Sequence, residues 1–177
     1  MVPFPSYHLW LKPSGDLFDA LSETIERLSR RLGGPVFTPH ITLLGSVPGT
    51  EGQHRARVEA LAAQMRPFDV MLDQPCTGTE YFESVFMQVR PNEPLVSANA
   101  LACRLFGAAK KPYRPHLSIV YGEFTQEQKQ EIIPDLTVFV GRSLHVDRFY
   151  LIQALSREPA DWHQVWDAAM SEPAKRN

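Results

Sequence analysis

The chain has 177 residues, 44% hydrophobic and 21% charged, with a formal net charge of −2. These values fit a folded protein of one domain, 1–177, with a sizeable core, and mild acidity excludes a general attraction to nucleic-acid backbone. No apolar run approaches the roughly 20 residues of a bilayer span, and the first residues lack the basic-then-apolar pattern of a secretion signal, so a cytoplasmic protein without a membrane partner is expected.

Residues 7–12 alternate weakly and predict a strand, broken at Pro13-Ser14-Gly15. From Asp16, the spacing of Leu17, Leu21, Ile25, Leu28 and Leu32 by three and four predicts an amphipathic helix. Arg30 and Arg31 suit its C-terminal end, and Gly33-Gly34-Pro35 stops it. A strand over 37–47 follows. Thr50-Glu51-Gly52-Gln53 has the spacing of a capping box and opens a helix to Met65. Two strands are expected over 68–72 and 80–89, then a helix over 94–108 and a basic loop with Lys110, Lys111 and Arg114. After a strand around 114–122, Thr125-Gln126-Glu127-Gln128 opens a short helix closed by Pro134. Strands over 136–140 and 144–154 are expected to pair around Gly141-Arg142. A last helix is expected from Glu158-Pro159, carrying Trp162, Val165 and Trp166, followed by a frayed polar tail over 171–177. Cys76 and Cys103 lie outside any Cys-x-x-Cys and read as buried thiols in a reducing compartment.

Two stretches stand out. Thr38-Pro39-His40-Ile41-Thr42-Leu43 and Arg114-Pro115-His116-Leu117-Ser118-Ile119 share the order Pro, His, aliphatic, hydroxyl, aliphatic. In a strand, positions i and i+2 share a face, roughly 7 Å apart. His40 and Thr42 then project together, with Ile41 and Leu43 behind them; His116 and Ser118 repeat the arrangement over Leu117 and Ile119. Each copy pairs a proton carrier with a neutral hydrogen-bond donor. The order helix, Pro-His strand, capping box, helix, two strands recurs in both halves, and no linker rich in Pro, Gly or Ser separates them. The residues alone give an α+β fold with an internal repeat.

The paired His-x-Thr/Ser motifs resemble those of the two-histidine phosphoesterase superfamily. Within it, the chain is similar to the cyclic phosphodiesterases of plants and yeast. The resemblance implies two lobes built on internally duplicated antiparallel sheets with flanking helices, and the active site in the central cleft. It implies hydrolysis of 2′,3′-cyclic nucleotides or ADP-ribose 1″,2″-cyclic phosphate, with His116 as base and His40 as acid. It places Tyr121, Trp10 and Phe82 at the substrate. Relatives in plants carry disulfides, which leaves the state of Cys76 and Cys103 open.

The chemistry suits the residues. Histidine, with an ordinary pKa of about 6.5, serves as acid or base near neutrality. Thr42 and Ser118 donate hydrogen bonds to phosphoryl oxygens without adding negative charge. Two His and two hydroxyls lack the carboxylates or thiolates usual in metal sites, so neither metal nor cofactor is expected. Strict alternation puts Tyr121 opposite His116 unless the strand ends or twists before Gly122. Trp10 and Phe82 otherwise read as core. Lys110, Lys111 and Arg114 either steer an anion or form a solvated helix end. His8, His54, His145 and His163 lack the motif and read as structural or surface residues. The expected partner is a small nucleotide cyclic phosphate, acted on by a monomer. An RNA end bearing a 2′,3′-cyclic phosphate, or a phospho-ligand bound without turnover, are the alternatives.

Overall fold

The computed structural model describes residues 5–109 and 111–171; Lys110 and the tail beyond Ser171 lie outside them. Strand β1 (Ser6–Leu11) leads to α1 (Gly15–Leu32), then β2 (Ile41–Val47), α2 (Glu51–Ala62) and β3 (Phe68–Thr77). A 3-10 turn (Tyr81–Glu83) precedes β4 (Val85–Arg90), α3 (Glu93–Phe106), β5 (His116–Val120) and α4 (Gln126–Leu136). The chain closes with β6 (Ser143–Val146), β7 (Arg148–Ala154) and β8 (Trp162–Ala169).

The helices form where their caps and apolar spacing dictate. Leu17, Leu21, Ile25 and Leu28 of α1 are buried, and Gly33 ends the helix in the left-handed conformation that glycine adopts without strain. Both capping boxes form: Thr50 and Thr125 each accept from the backbone of the glutamine three residues on, which returns the bond. Helix α3 has a cap not anticipated from the sequence, Asn92, which accepts from the Leu95 backbone N–H.

Eight strands form one antiparallel sheet in the order β6-β3-β4-β5-β2-β1-β7-β8. At its centre β2 and β5 meet at a single register pair, Ile41 opposite Leu117. The α+β architecture with antiparallel strands and flanking helices is therefore as expected, with two four-stranded halves joined at that pair. Helix α1 packs on β5 and α4 on β3, while α3 packs on β2 and α2 on β7 and β8. Ile41, Leu43, Leu117 and Ile119 are all sealed in the core beneath these helices.

Several boundaries differ from expectation. The strand expected over 136–140 is the end of α4 and a 3-10 turn (Thr137–Phe139), and Pro134 lies inside the helix rather than closing it. Burial of Leu136 and Phe139 holds the turn although proline removes one helical donor. Residues 143–154 form two strands that do not pair with each other: β6 lies along β3 and β7 along β1. The strand expected from residue 80 begins only at Val85, after the 3-10 turn. The expected last helix is instead β8, a strand along β7. Its register shifts where Leu151 opposes Trp166 and Ile152 opposes Gln164, leaving one extra residue on β8. That bulge interrupts the period of two, so Trp162, Val165 and Trp166, spaced i, i+3 and i+4, read as the face of a helix. Cys76 is half-buried on β3 and Cys103 is buried on α3, both as free thiols. Among the described residues no helix is long and apolar enough to cross a membrane.

Candidate functional site

The proline in each motif has a structural consequence. It fixes its own φ and holds the preceding residue extended. In both copies the carbonyl two residues before the histidine comes to lie against the imidazole. His40 Nδ1 donates to the Thr38 carbonyl at 2.7 Å, and His116 Nδ1 donates to the Arg114 carbonyl at 3.0 Å. A carbonyl only accepts, so Nδ1 carries the hydrogen in both rings, and Nε2 is left as the lone-pair nitrogen of the neutral form.

Both rings border one cavity of about 430 Å³. His40, Thr42, His116, Ser118, Tyr121, Trp10 and Phe82 all line it. His40 lies in the extended lead into β2 rather than in the strand itself. Its ring stacks flat on Trp10, with centroids 3.5 Å apart and an interplanar angle of 9°. Burial drives its pKa down to about 3, partly opposed by the Thr38 carbonyl; His8, His116 and Lys12 add smaller repulsions. His40 is therefore neutral in the free protein near pH 7. His116 is less enclosed, with 23% of its side chain exposed.

The strand does end before Gly122. β5 stops at Val120, and Gly122 adopts φ 145°, so Tyr121 leaves the alternation and reaches the cavity wall. Tyr121 is core and lining at once: it is buried and stacks on Phe37 at 3.7 Å. Burial pushes its hydroxyl above the ordinary range, with Ser118 as hydrogen-bond partner opposing. Ser118 Oγ donates to the Phe82 carbonyl at 2.8 Å, which leaves its lone pairs to accept from Tyr121. The Ser118 hydroxyl must rotate away from Phe82 before it can donate to a ligand.

Four further residues line the cavity that sequence reasoning missed: His8, Ser46, Glu83 and Trp162. His8 lacks a hydroxyl at i+2, which points to a structural or surface residue, yet it stands two residues from Trp10 on β1, so the shared face was legible. Burial lowers its pKa to about 4. Trp162 is concealed by the helical spacing of β8; it meets Trp10 edge-on at 5.9 Å and Phe82 at 5.8 Å. Glu83 is concealed by the strand-like pattern of the 3-10 turn. Its carboxylate stands 3.9 Å from His116 Nε2 and 3.8 Å from the Arg114 guanidinium. His54 is fully buried between Tyr7 and Phe106, and His145 pairs with Asp69 at the surface, as expected of residues outside the motif. Lys111 and Arg114 border a neighbouring cavity of about 460 Å³, not the one that holds both histidines; the two share Thr42, Ser46 and His116.

The turn that presents Phe82 and Glu83 leans on Gly78. A Cβ there would sit 2.2 Å from the Glu83 carbonyl oxygen, and the Gly78 N–H bonds to the Ser84 carbonyl. Gly78→Ala is expected to push the turn outward, lowering stability by about 1–3 kcal/mol and lowering activity with it. A melting curve and a rate measured on the same preparation check both.

A family model described as the 2′-5′ RNA ligase superfamily matches residues 10–158. A protein of Arabidopsis thaliana named cyclic phosphodiesterase is 27% identical over 125 residues, which are 70% of this chain and 69% of that protein. The crystal structure of E. coli LigT complexed with 3′-AMP is similar with a TM-score of 0.63 and 14% identity, over 94% of this chain and 98% of that one. The crystal structure of TT0787 of Thermus thermophilus gives a TM-score of 0.66 and 19% identity, over 93% and 97%. At these identities the two solved structures speak for the fold alone. Family and named relative indicate an enzyme of the phosphodiesterase type. The matched span takes in both Pro-His motifs, and the chain belongs to the 2′-5′ RNA ligase superfamily, that of the two-histidine phosphoesterases.

Proposed function

We propose that the chain hydrolyses small cyclic phosphodiesters, 2′,3′-cyclic nucleotides or ADP-ribose 1″,2″-cyclic phosphate, to phosphomonoesters by acid–base chemistry shared between His40 and His116. The observation that carries this reading is the convergence of both imidazole–hydroxyl pairs on one cavity. Water is deprotonated by one Nε2, the ring oxygen that leaves is protonated by the other, and Thr42 and Ser118 donate to the non-bridging oxygens. Trp10, Phe82 and Trp162 offer ring faces to a base or ribose. No step is routed through a metal or cofactor. Hydrolysis of 2′,3′-cyclic AMP by the purified protein tests the reading, and failure to turn over either class of cyclic phosphate sinks it.

The order that the resemblance implies, His116 as base and His40 as acid, requires bound phosphate to charge His40, because the free ring is neutral. Binding of a non-hydrolysable phosphodiester near pH 6 should then take up close to one proton, and His40→Gln should abolish the uptake. Calorimetry in buffers of different ionisation enthalpy measures this. The burial of His40 favours a second reading with the roles exchanged, for which no uptake is expected at that ring. An RNA end as substrate is disfavoured by the net charge of −2 and by a cavity lined by no lysine or arginine among the described residues. A mononucleotide and an oligonucleotide with the same cyclic end, compared by kcat/KM, separate these substrates.

A further inference from the structure

The cavity is an unusual place for an anion. Among its lining residues the imidazoles of His8 and His40 are held neutral by burial. Hydroxyls and aromatic rings make up most of the rest, and the one described lining side chain with a fixed charge is a carboxylate, Glu83. Outside the cavity, the Arg114 guanidinium, 85% exposed, stands 3.8 Å from Glu83, and the Arg157 guanidinium lies over the Phe82 ring, 5.4 Å from its centroid. On the other side of Glu83, Asp73 shares a smaller cavity with it and pairs with Arg90 at 3.6 Å. Lys12, behind His40, is taken up by Gln164 and the Tyr150 ring.

We infer that Glu83 sets the charge selectivity of this site, admitting monoanionic phosphodiesters and disfavouring dianionic phosphomonoesters, and so promotes release of the product. The inference rests on the phosphodiesterase reading above. A cyclic phosphodiester carries one negative charge at all relevant pH, whereas a phosphomonoester gains a second as pH passes about 6. A phosphoryl oxygen bonded to His116 Nε2 at roughly 3 Å lies no more than about 7 Å from the Glu83 carboxylate, given the 3.9 Å between that carboxylate and Nε2. That is inside the screening length of about 8 Å at physiological salt. The added charge of the product therefore meets repulsion that the substrate largely escapes. With Arg114 and solvent screening the pair, the expected discrimination is about tenfold.

The test compares two inhibitors, 2′-deoxyadenosine 3′-phosphate and its O-methyl ester. They differ by one methyl group and, above pH 6, by one charge. Their ratio of inhibition constants removes what acts equally on both, and the difference in its pH trend between wild type and Glu83→Gln isolates the part owed to the carboxylate. In the wild type the monoester is expected to lose about tenfold relative to the methyl ester between pH 5 and pH 7.5. In Glu83→Gln, which keeps the shape of the side chain, that loss is expected to be far smaller across the same range. An Arg114→Gln variant, with the screening cation removed, should steepen the wild-type trend. A ratio that moves equally in wild type and Glu83→Gln overturns the inference while leaving the phosphodiesterase reading intact, provided that cyclic substrate is still hydrolysed. Binding of neither inhibitor, together with no hydrolysis, overturns both.

Discussion

His40→Ala and His116→Ala are each expected to lower kcat on 2′,3′-cyclic AMP by about 10²–10⁴-fold. The double variant should fall little further than the worse single one, because two groups that move protons in one transition state act as a unit. The two substitutions differ in their structural side effects. His116 is partly exposed and packs edge-on to Phe86 at 5.3 Å, so its removal leaves a small gap at the cavity mouth. His40 is buried beneath Trp10, and its removal opens a hole against that ring. A melting curve for each variant separates lost chemistry from lost packing; His40→Gln, close in volume, repeats the test with the hole filled. Retention of full hydrolysis by both alanine variants would refute the proposed roles.

Acidification is expected to destabilise the protein through the same buried ring. The unfolded His40 titrates near 6.5, whereas in the folded protein burial lowers it to about 3. Between these values the unfolded chain binds the proton that the folded chain refuses, so stability is complete above about pH 6.5 and drains away as pH falls towards 3. From pH 6.5 to pH 5 the loss from His40 is about 2 kcal/mol. His8, lowered to about 4, adds in the same direction. Chemical denaturation at pH 7 and pH 5, in buffer free of phosphate, should show a drop about 2 kcal/mol smaller in His40→Gln than in the wild type. Equal drops would mean that His40 titrates as an ordinary imidazole and is far better solvated than its surroundings suggest.

Local signals carried much of this architecture. The apolar spacing of α1, the two threonine capping boxes and the two Pro-His motifs each act over a few residues, and each is realised where its chemistry put it. The shared face of His116 and Ser118 followed from the period of a strand, whereas His40 reaches the same cavity from the lead into β2. The face-to-face meeting of the two motifs did not follow from that period, since Ile41 and Leu117 are brought together only by the whole sheet. The misread elements are those whose fate lies outside their own sequence. Val165 is bulged by its pairing with β7, and Leu136 and Phe139 are kept out of a strand by the core they bury into. Residues 143–146 leave their neighbour β7 for β3, at the far edge of the sheet. Glu83 and Trp162 escaped notice for that reason, and with them the charge of the cavity and one of the four aromatic side chains of its wall.

The single ladder pair between β2 and β5 bears on how a ligand enters. Spreading the two motif-bearing strands ruptures scarcely any main-chain hydrogen bonds, in contrast to the continuous pairing of β3 with β4 or of β7 with β8. One side-chain bond ties the two segments: the Tyr113 hydroxyl, just ahead of β5, donates to the Thr42 carbonyl on β2 at 3.2 Å. The width of the gap between the two imidazoles thus depends on few main-chain bonds, and Tyr113→Phe is expected to loosen it at little cost to the rest of the sheet.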